Sequence, residues 1–297
     1  MRELSLSTPP AGSRIAADAP QEWAAVGQDI EAVIDGNLAI AAASFRLPLG
    51  AVTAVIGPNG SGKSTLLNLL AGLLQPSAGT LEVLGKTAAD ARGEVAYVLQ
   101  STEVNDTLPI SVREVVTMGR YATRGLVGRL QAGDREVVRA AMEALGIADL
   151  ARRSVHQLSG GQRQRVFMAQ GLAQDHRLLL LDEPLTGLDL VSTAAIEQVI
   201  FAERHEGRSV VLTTHDVSQA LSADWVVLMA GRVIACGPPP VALSPENLAL
   251  AYGIKVVQAA DGRFVVDDPA HAGGPGRHVH LDRSLHLEVP GSGLHRQ

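Results

Sequence analysis

A single cysteine, Cys236, is all that this 297-residue chain carries. One thiol excludes an internal disulfide and a cysteine zinc cluster, and it fits a reducing compartment. Basic blocks are missing as well. Formal net charge is -6, with no long Lys/Arg run, so nucleic acid is not expected as a direct partner. No stretch supplies the roughly 20 mostly apolar residues of a membrane helix. The longest uncharged run, Ser64 to Leu81, holds Asn68, Gln75, Pro76 and Ser77 and reads as a helix followed by a turn. Met1 to Asp29 lacks the charged opening and compact apolar stretch of a secretory signal. There is no internal repeat. If the protein works at a membrane, another chain is expected to span it.

What is present suits a folded core of one or two domains: 46% apolar and 19% charged residues. Residues 1 to about 28, rich in Ala, Pro and Ser, are expected to form a disordered tail. Ile30 to Leu47 reads as strand broken by the turn pair Asp35-Gly36. Short apolar runs of strand length follow at Ala51–Ile56, Thr80–Leu84, Glu94–Leu99, Leu178–Leu181, Ser209–Thr213, Trp225–Met229 and Val233–Cys236. Helical spacing separates several of them, over Lys63–Leu74, Gly161–Ala173 and Val191–Arg204. Strands alternating with helices predict an α/β fold, a mostly parallel sheet covered on both faces. The block 101 to 157 interrupts the alternation and reads as an inserted helical subdomain. Within it, Val112–Met118 and Arg135–Leu145 are helical, and Gly146 serves as a C-cap. The main domain is expected over 29–258. Past Asp261 the chain turns to Gly, Pro and His, and a disordered tail is expected over 259–297.

Gly57-Pro58-Asn59-Gly60-Ser61-Gly62-Lys63-Ser64-Thr65 fits G-x-x-x-x-G-K-[ST] between a buried strand and a helix. Glycines let the backbone curl so that several N–H groups face one anion, and the helix N-terminus adds a positive dipole end. Lys63 can reach the outer phosphates of a nucleotide, and the Ser64 hydroxyl can hold magnesium. By composition alone the pattern arises in about one chain in a hundred of this length; the strand–helix context makes the phosphate reading the better one. Asp182 and Glu183 end another buried strand, where open α/β sheets bind ligands. Asp182 is positioned to orient the magnesium shell, and Glu183, one residue on, to polarise a water. Gln100, Asp189 and His215 also sit at or near strand ends. Each alone is more simply a satisfied surface residue.

The order of these pieces is informative. Phosphate loop, Gln100, Leu158-Ser159-Gly160-Gly161-Gln162, Asp182-Glu183, Asp189 and His215 together resemble the nucleotide-binding subunit of ABC transporters, from Ile30 to Gly253. The resemblance implies ATP and Mg2+ as cofactors and ATP hydrolysis coupled to transport. It implies that Gln100 touches magnesium or the attacking water and that His215 contacts the γ-phosphate. It also implies that Ser159 to Gln162 cap the γ-phosphate held by a second copy, with Asp189 coupling the two sites. A residue-level argument agrees with the capping role: Ser159 and two glycines precede a helix, another anion-seeking N-terminus. Two chains about a twofold axis then satisfy both surfaces.

Further expected partners are a membrane-spanning permease and an extracytoplasmic substrate-binding protein, with this chain peripheral on the cytoplasmic face. The segment Leu108–Tyr121 and the stretches Leu243–Leu248 and Ala251–Gly253 resemble importers of zinc, manganese or iron ions. Importers of iron-siderophore, haem or cobalamin share the plan and stand as the alternative. A soluble ABC machine usually has two cassettes or long coiled coils, and a phosphate-loop GTPase needs an Asn-Lys-x-Asp segment; neither pattern is here. His271, His278, His280, His286 and His295 lie in the tail, where a solvated segment is a better reading than a metal site. One departure stands out. Ile34 occupies the position where the family has an aromatic residue stacking on adenine, which implies modest nucleotide affinity and lax base discrimination.

Overall fold

The computed structural model describes residues 22–100, 110–124, 129–253, 255–258 and 264–267. Its described residues up to Gly253 form one compact unit, and those from Lys255 onward belong to a second.

The first unit opens with two long strands, β1 (Trp23–Ile34) and β2 (Asn37–Pro48), joined at the Asp35-Gly36 turn. With β4 (Ala78–Val83) and β5 (Lys86–Thr87) they make an antiparallel sheet in the order β2-β1-β4-β5. A six-stranded sheet lies beside it, in the order β10-β9-β3-β8-β7-β6. Its strands are β3 (Val52–Ile56), β6 (Val95–Val98), β7 (Leu178–Leu181), β8 (Ser209–Thr214), β9 (Trp225–Met229) and β10 (Val233–Gly237). All neighbouring pairs are parallel except β9–β10.

Both faces of this sheet are buried, which is why its strands read as continuous apolar runs. In β7, Leu179 and Leu181 join the core formed with helices α5 (Gly160–Leu172) and α6 (Leu190–His205). Leu178 and Leu180 face the opposite core, which contains Leu66, Leu67, Leu69 and Leu70 of α1 (Lys63–Leu70) and Ile30, Ile40 and Leu47 of the antiparallel sheet. Short helices α2 (Ala88–Ala91), α7 (Val217–Leu221), α8 (Pro239–Ala242) and α9 (Pro245–Tyr252) complete the unit. Helices α3 (Val112–Arg124) and α4 (Ala132–Ala144) supply the expected insertion and pack with α5. The expected segments 101–109 and 125–128 lie outside the described residues, as do 1–21.

Two boundaries differ from the sequence expectation. Strand β1 begins at Trp23, so residues 23–28, expected in the disordered tail, are sheet. Small residues there hid a buried strand: Ala24 and Ala25 are core, and a Cβ on Gly27 would come within 2.6 Å of the Phe45 ring. Trp23 meets Trp225 edge-on and lies under the Arg46 guanidinium. Secondly, β12 (Phe264–Asp267) falls within the expected C-terminal tail and pairs antiparallel with β11 (Lys255–Gln258), so 264–267 are not without structure. The apolar run Phe264-Val265-Val266 was too short a signal to stand out beside Gly and Pro. The tail histidines lie outside the described residues.

An ionic knot fastens α6 to the start of β7. Glu203, 4% exposed, accepts from His176 Nε2 at 2.6 Å and from Arg208 Nε and Nη2 at 2.6 and 2.7 Å. Burial works to raise its pKa, but these hydrogen bonds from His176 and Arg208 win and hold the carboxyl down at about 2. A depressed acid contributes stability above its unfolded pKa and loses it as pH falls toward the folded value. The shift from 4.5 to about 2 corresponds to about 3 kcal/mol. Chemical denaturation of wild type and Glu203→Gln from pH 7 to pH 2 is therefore expected to show a wild-type advantage that shrinks below about pH 4.5. Parallel stability curves across that range would contradict the assignment.

Candidate functional site

Four adjacent parallel strands, β3, β8, β7 and β6, end at one edge of the sheet. The phosphate loop 57–62 follows β3, His215 follows β8, Asp182 and Glu183 follow β7, and Gln100 lies just past β6. The sheet thus gathers residues that are distant in sequence.

The loop owes its shape to close backbone approaches. A Cβ on Gly57 would lie 2.1 Å from the Met229 carbonyl oxygen, and one on Gly62 2.9 Å from that of Ala39. Gly62 also has φ +97°, and Gly60 +75°, in the left-handed region that favours glycine. Gly62 precedes α1 without a side-chain cap, and the first turn of α1 has no acidic residue. Its N–H groups are therefore free to meet an anion. Lys63, 6% exposed, folds back so that Nζ donates to the carbonyls of Gly57 at 2.9 Å and Pro58 at 3.1 Å. Burial lowers its pKa, opposed by the charges of Glu183 and Asp182.

The acidic pair is held by a residue that the sequence reading did not single out. Thr213, fully buried in β8, donates its hydroxyl proton to Asp182 Oδ1 at 2.6 Å, while its oxygen accepts the Glu183 backbone N–H at 2.8 Å. The Tyr97 hydroxyl lies 3.5 Å from Asp182 Oδ2, and its pKa is raised by burial and by that carboxylate. Glu183 has φ +46°, a left-handed conformation costing about 1–3 kcal/mol for a non-glycine residue. Its Oε2 accepts from Gln100 Nε2 at 2.8 Å and from Thr186 Oγ1 at 3.3 Å. Gln100 is thus tied to Glu183. His215 is exposed at the end of β8.

A cleft of about 290 Å³ lies over the loop, lined by Ala39, Asn59, Gly60, Ser61, Gly62, Lys63, Ser64, Thr65 and Glu183. Its lining fits a phosphate chain. Ser61 Oγ is buried there with no hydrogen-bond partner among the described residues, and the uncapped helix turn adds donors. Ile34, at the expected adenine-stacking position, ends β1 with 38% exposure and is not among the lining residues.

Ser159, Gly160, Gly161 and Gln162 are also absent from that lining. Ser159 caps α5 through a reciprocal box: its Oγ accepts from Gln162 N at 3.3 Å, and Gln162 Oε1 accepts from Ser159 N at 3.1 Å. A Cβ on Gly161 would lie 2.5 Å from Ser192 Oγ and 2.7 Å from Asp189 Oδ2. Asp189 in turn caps α6, accepting from Ser192 N at 2.8 Å and Ser192 Oγ at 3.1 Å. Within one chain, then, the Asp189 carboxylate is a helix cap against which the signature glycine packs.

Comparisons with known proteins bear on the family. Residues 40–186 match the family model described as ABC transporter. The chain is 38% identical over 211 residues to "Manganese transport system ATP-binding protein MntB" of Bacillus subtilis, covering 71% of this chain and 84% of that protein. The chain belongs to the ATP-binding subunits of ABC transporters. It is 39% identical over 214 residues to "Zinc transport system ATP-binding protein TroB" of Treponema pallidum, covering 71% of this chain and 80% of that one. Among solved structures, "An inward-facing conformation of a putative metal-chelate type ABC transporter" superposes with TM-score 0.69 at 27% identity, covering 84% of this chain and 99% of that chain. As a member of this family the chain binds ATP and hydrolyses it.

Thr213 gives the ABC ATPase site its sharpest test. Thr213→Val keeps the shape but strips a donor from Asp182 and an acceptor from Glu183 N–H, each loss costing about 1–3 kcal/mol where buried. ATPase kinetics are expected to show kcat reduced by at least about tenfold in a folded protein. Unchanged kcat would mean that the hydroxyl does not hold the pair.

Proposed function

We propose that this chain powers import of a metal ion, manganese, zinc or iron, as the ATPase subunit of a membrane transporter. The observation that supports the working arrangement is the division of its phosphate-seeking surfaces. The loop cleft is lined by the loop, Ala39 and Glu183, while the Ser159 cap opens elsewhere on the chain. In this reading two copies meet about a twofold axis, and each offers Ser159, Gly160, Gly161 and Gln162 to the nucleotide on the other's loop. Asp189, beside Gly161, couples the two halves.

Within each half, backbone N–H groups of 57–65 and the Lys63 ammonium hold the phosphates. Ser64, Gln100 and Asp182 are the residues that would hold Mg2+, which supplies charge neutralisation on the phosphate oxygens when bound. Glu183 takes the proton of the attacking water, and His215 steadies the γ-phosphate. Gln100 donates to Glu183 through Nε2, which leaves its Oε1 available as the metal-facing oxygen.

Among the described residues, no helix is long and apolar enough to cross a membrane. A permease supplies the path, this chain docks on its cytoplasmic face, and a substrate-binding protein delivers cargo from outside. The ion reading rests on the manganese and zinc systems named for the relatives above. A chelate cargo is the second reading, favoured by the likeness to the solved metal-chelate type transporter.

Elemental analysis of cells under metal limitation tests the proposal. Strains lacking this chain, or carrying Glu183→Gln, are expected to lose manganese, zinc or iron selectively, and the deficit should persist with the free ion as sole source. Unchanged metal content in both strains would contradict metal import. A deficit confined to chelated metal would select the second reading.

A further inference from the structure

Arg120 is 3% exposed, yet it lies in the insertion, away from the phosphate loop and the acidic pair. Its Nε donates to Asp134 Oδ1 at 2.9 Å. Nη1 donates to the Ala173 carbonyl at 2.7 Å and to Asp175 Oδ1 at 2.9 Å, and Nη2 to Asp175 Oδ2 at 3.2 Å. Asp134 Oδ2 also accepts from Gln131 N at 2.7 Å, closing the cap of α4. One guanidinium therefore clasps α3, the start of α4, the C-terminal end of α5 and the turn that leads into β7.

At its neighbour Gly119, α3 lies close against α5. A Cβ there would come within 2.2 Å of the Gln170 carbonyl oxygen and 3.0 Å of Ala173 Cβ. Backbone contact and ionic clasp thus occupy consecutive residues and grip the same end of the same helix. Helix α5 has 13 residues, a rod of about 20 Å. Ser159 caps its other end. Beyond the clasped end the chain runs through Asp175 and β7 to Asp182 and Glu183.

The geometry points to Gly119 and Arg120 as the joint that aims the signature helix, with Arg120 a positioning residue for the γ-phosphate cap delivered to the opposite subunit. This rests on the composite-site reading proposed above. A planar fork shared among two carboxylates and a carbonyl has few satisfactory arrangements, and lysine cannot reproduce it. A tilt of α5 at the clasp moves Ser159 at the far end, where a displacement of about 1 Å can cost about a hundredfold in rate. The phosphate loop follows β3, to which the clasp makes no hydrogen bond.

The test uses the full chain in two backgrounds. In otherwise wild-type protein, Arg120→Lys and Gly119→Ala are expected to keep ATP affinity within about twofold while kcat falls at least about tenfold, a split that general unfolding does not produce. In the Glu183→Gln background, sedimentation with Mg-ATP is expected to require at least about tenfold more ATP for dimerisation once either joint substitution is added. Unchanged kcat and dimerisation in both substitutions would overturn the assignment. So would a joint loss of nucleotide binding and activity tracking a lowered melting temperature, which marks a merely structural clasp. If Glu183→Gln alone fails to dimerise with ATP, the composite-site reading falls first, and the joint's role with it.

Discussion

The parallel ladder from β3 through β8 and β7 to β6 is the constraint on which this molecule depends. Each strand carries one candidate site segment at or just past its carboxyl end, and the strand order makes those segments neighbours. Ile56 pairs with Thr214, Leu181 with Leu212, and Val98 with Leu181, so the register decides how far each segment projects. A slip of one residue in β7 would shift Asp182 and Glu183 along the edge relative to the segments that follow β6 and β8. Strand register therefore sets the geometry of this edge as well as the fold.

On that edge, charge is held under strain. Lys63 is buried against its own loop carbonyls, and Asp182 is 6% exposed with Thr213 as its donor. Glu183 adopts a left-handed backbone that its hydrogen bonds to Thr213, Gln100 and Thr186 offset. Such an arrangement suits a site that waits for phosphate charge. Loop donors and a Ser61 hydroxyl with no partner among the described residues could receive an anion, and the Ser159 cap is not among the residues lining that cleft. A subunit built this way has reason to work in pairs.

Much of this was legible in the sequence because it was local. β7 and β9 match their expected spans residue for residue, since uninterrupted apolar runs leave little choice between flanking turns. The phosphate loop was equally plain, because its glycines and lysine fall within one short segment. What stayed hidden depends on contacts between distant segments. Thr213 sits near a strand end like any other threonine until β8 is set beside β7. Gly161 shows its purpose only once α6 brings Asp189 and Ser192 against it. The start of β1 was missed because Ala24, Ala25 and Gly27 carry little strand propensity, and their burial comes from Phe45 and the opposing sheet.

The central claim is that one chain holds only half of a hydrolytic site. Specific ATPase activity of the isolated protein, measured across a wide dilution series at saturating Mg-ATP, tests it most directly. A composite site predicts that specific activity falls toward zero on dilution, with total rate approaching the square of protein concentration. Specific activity independent of concentration, down to levels where sedimentation finds only monomer, would contradict the account.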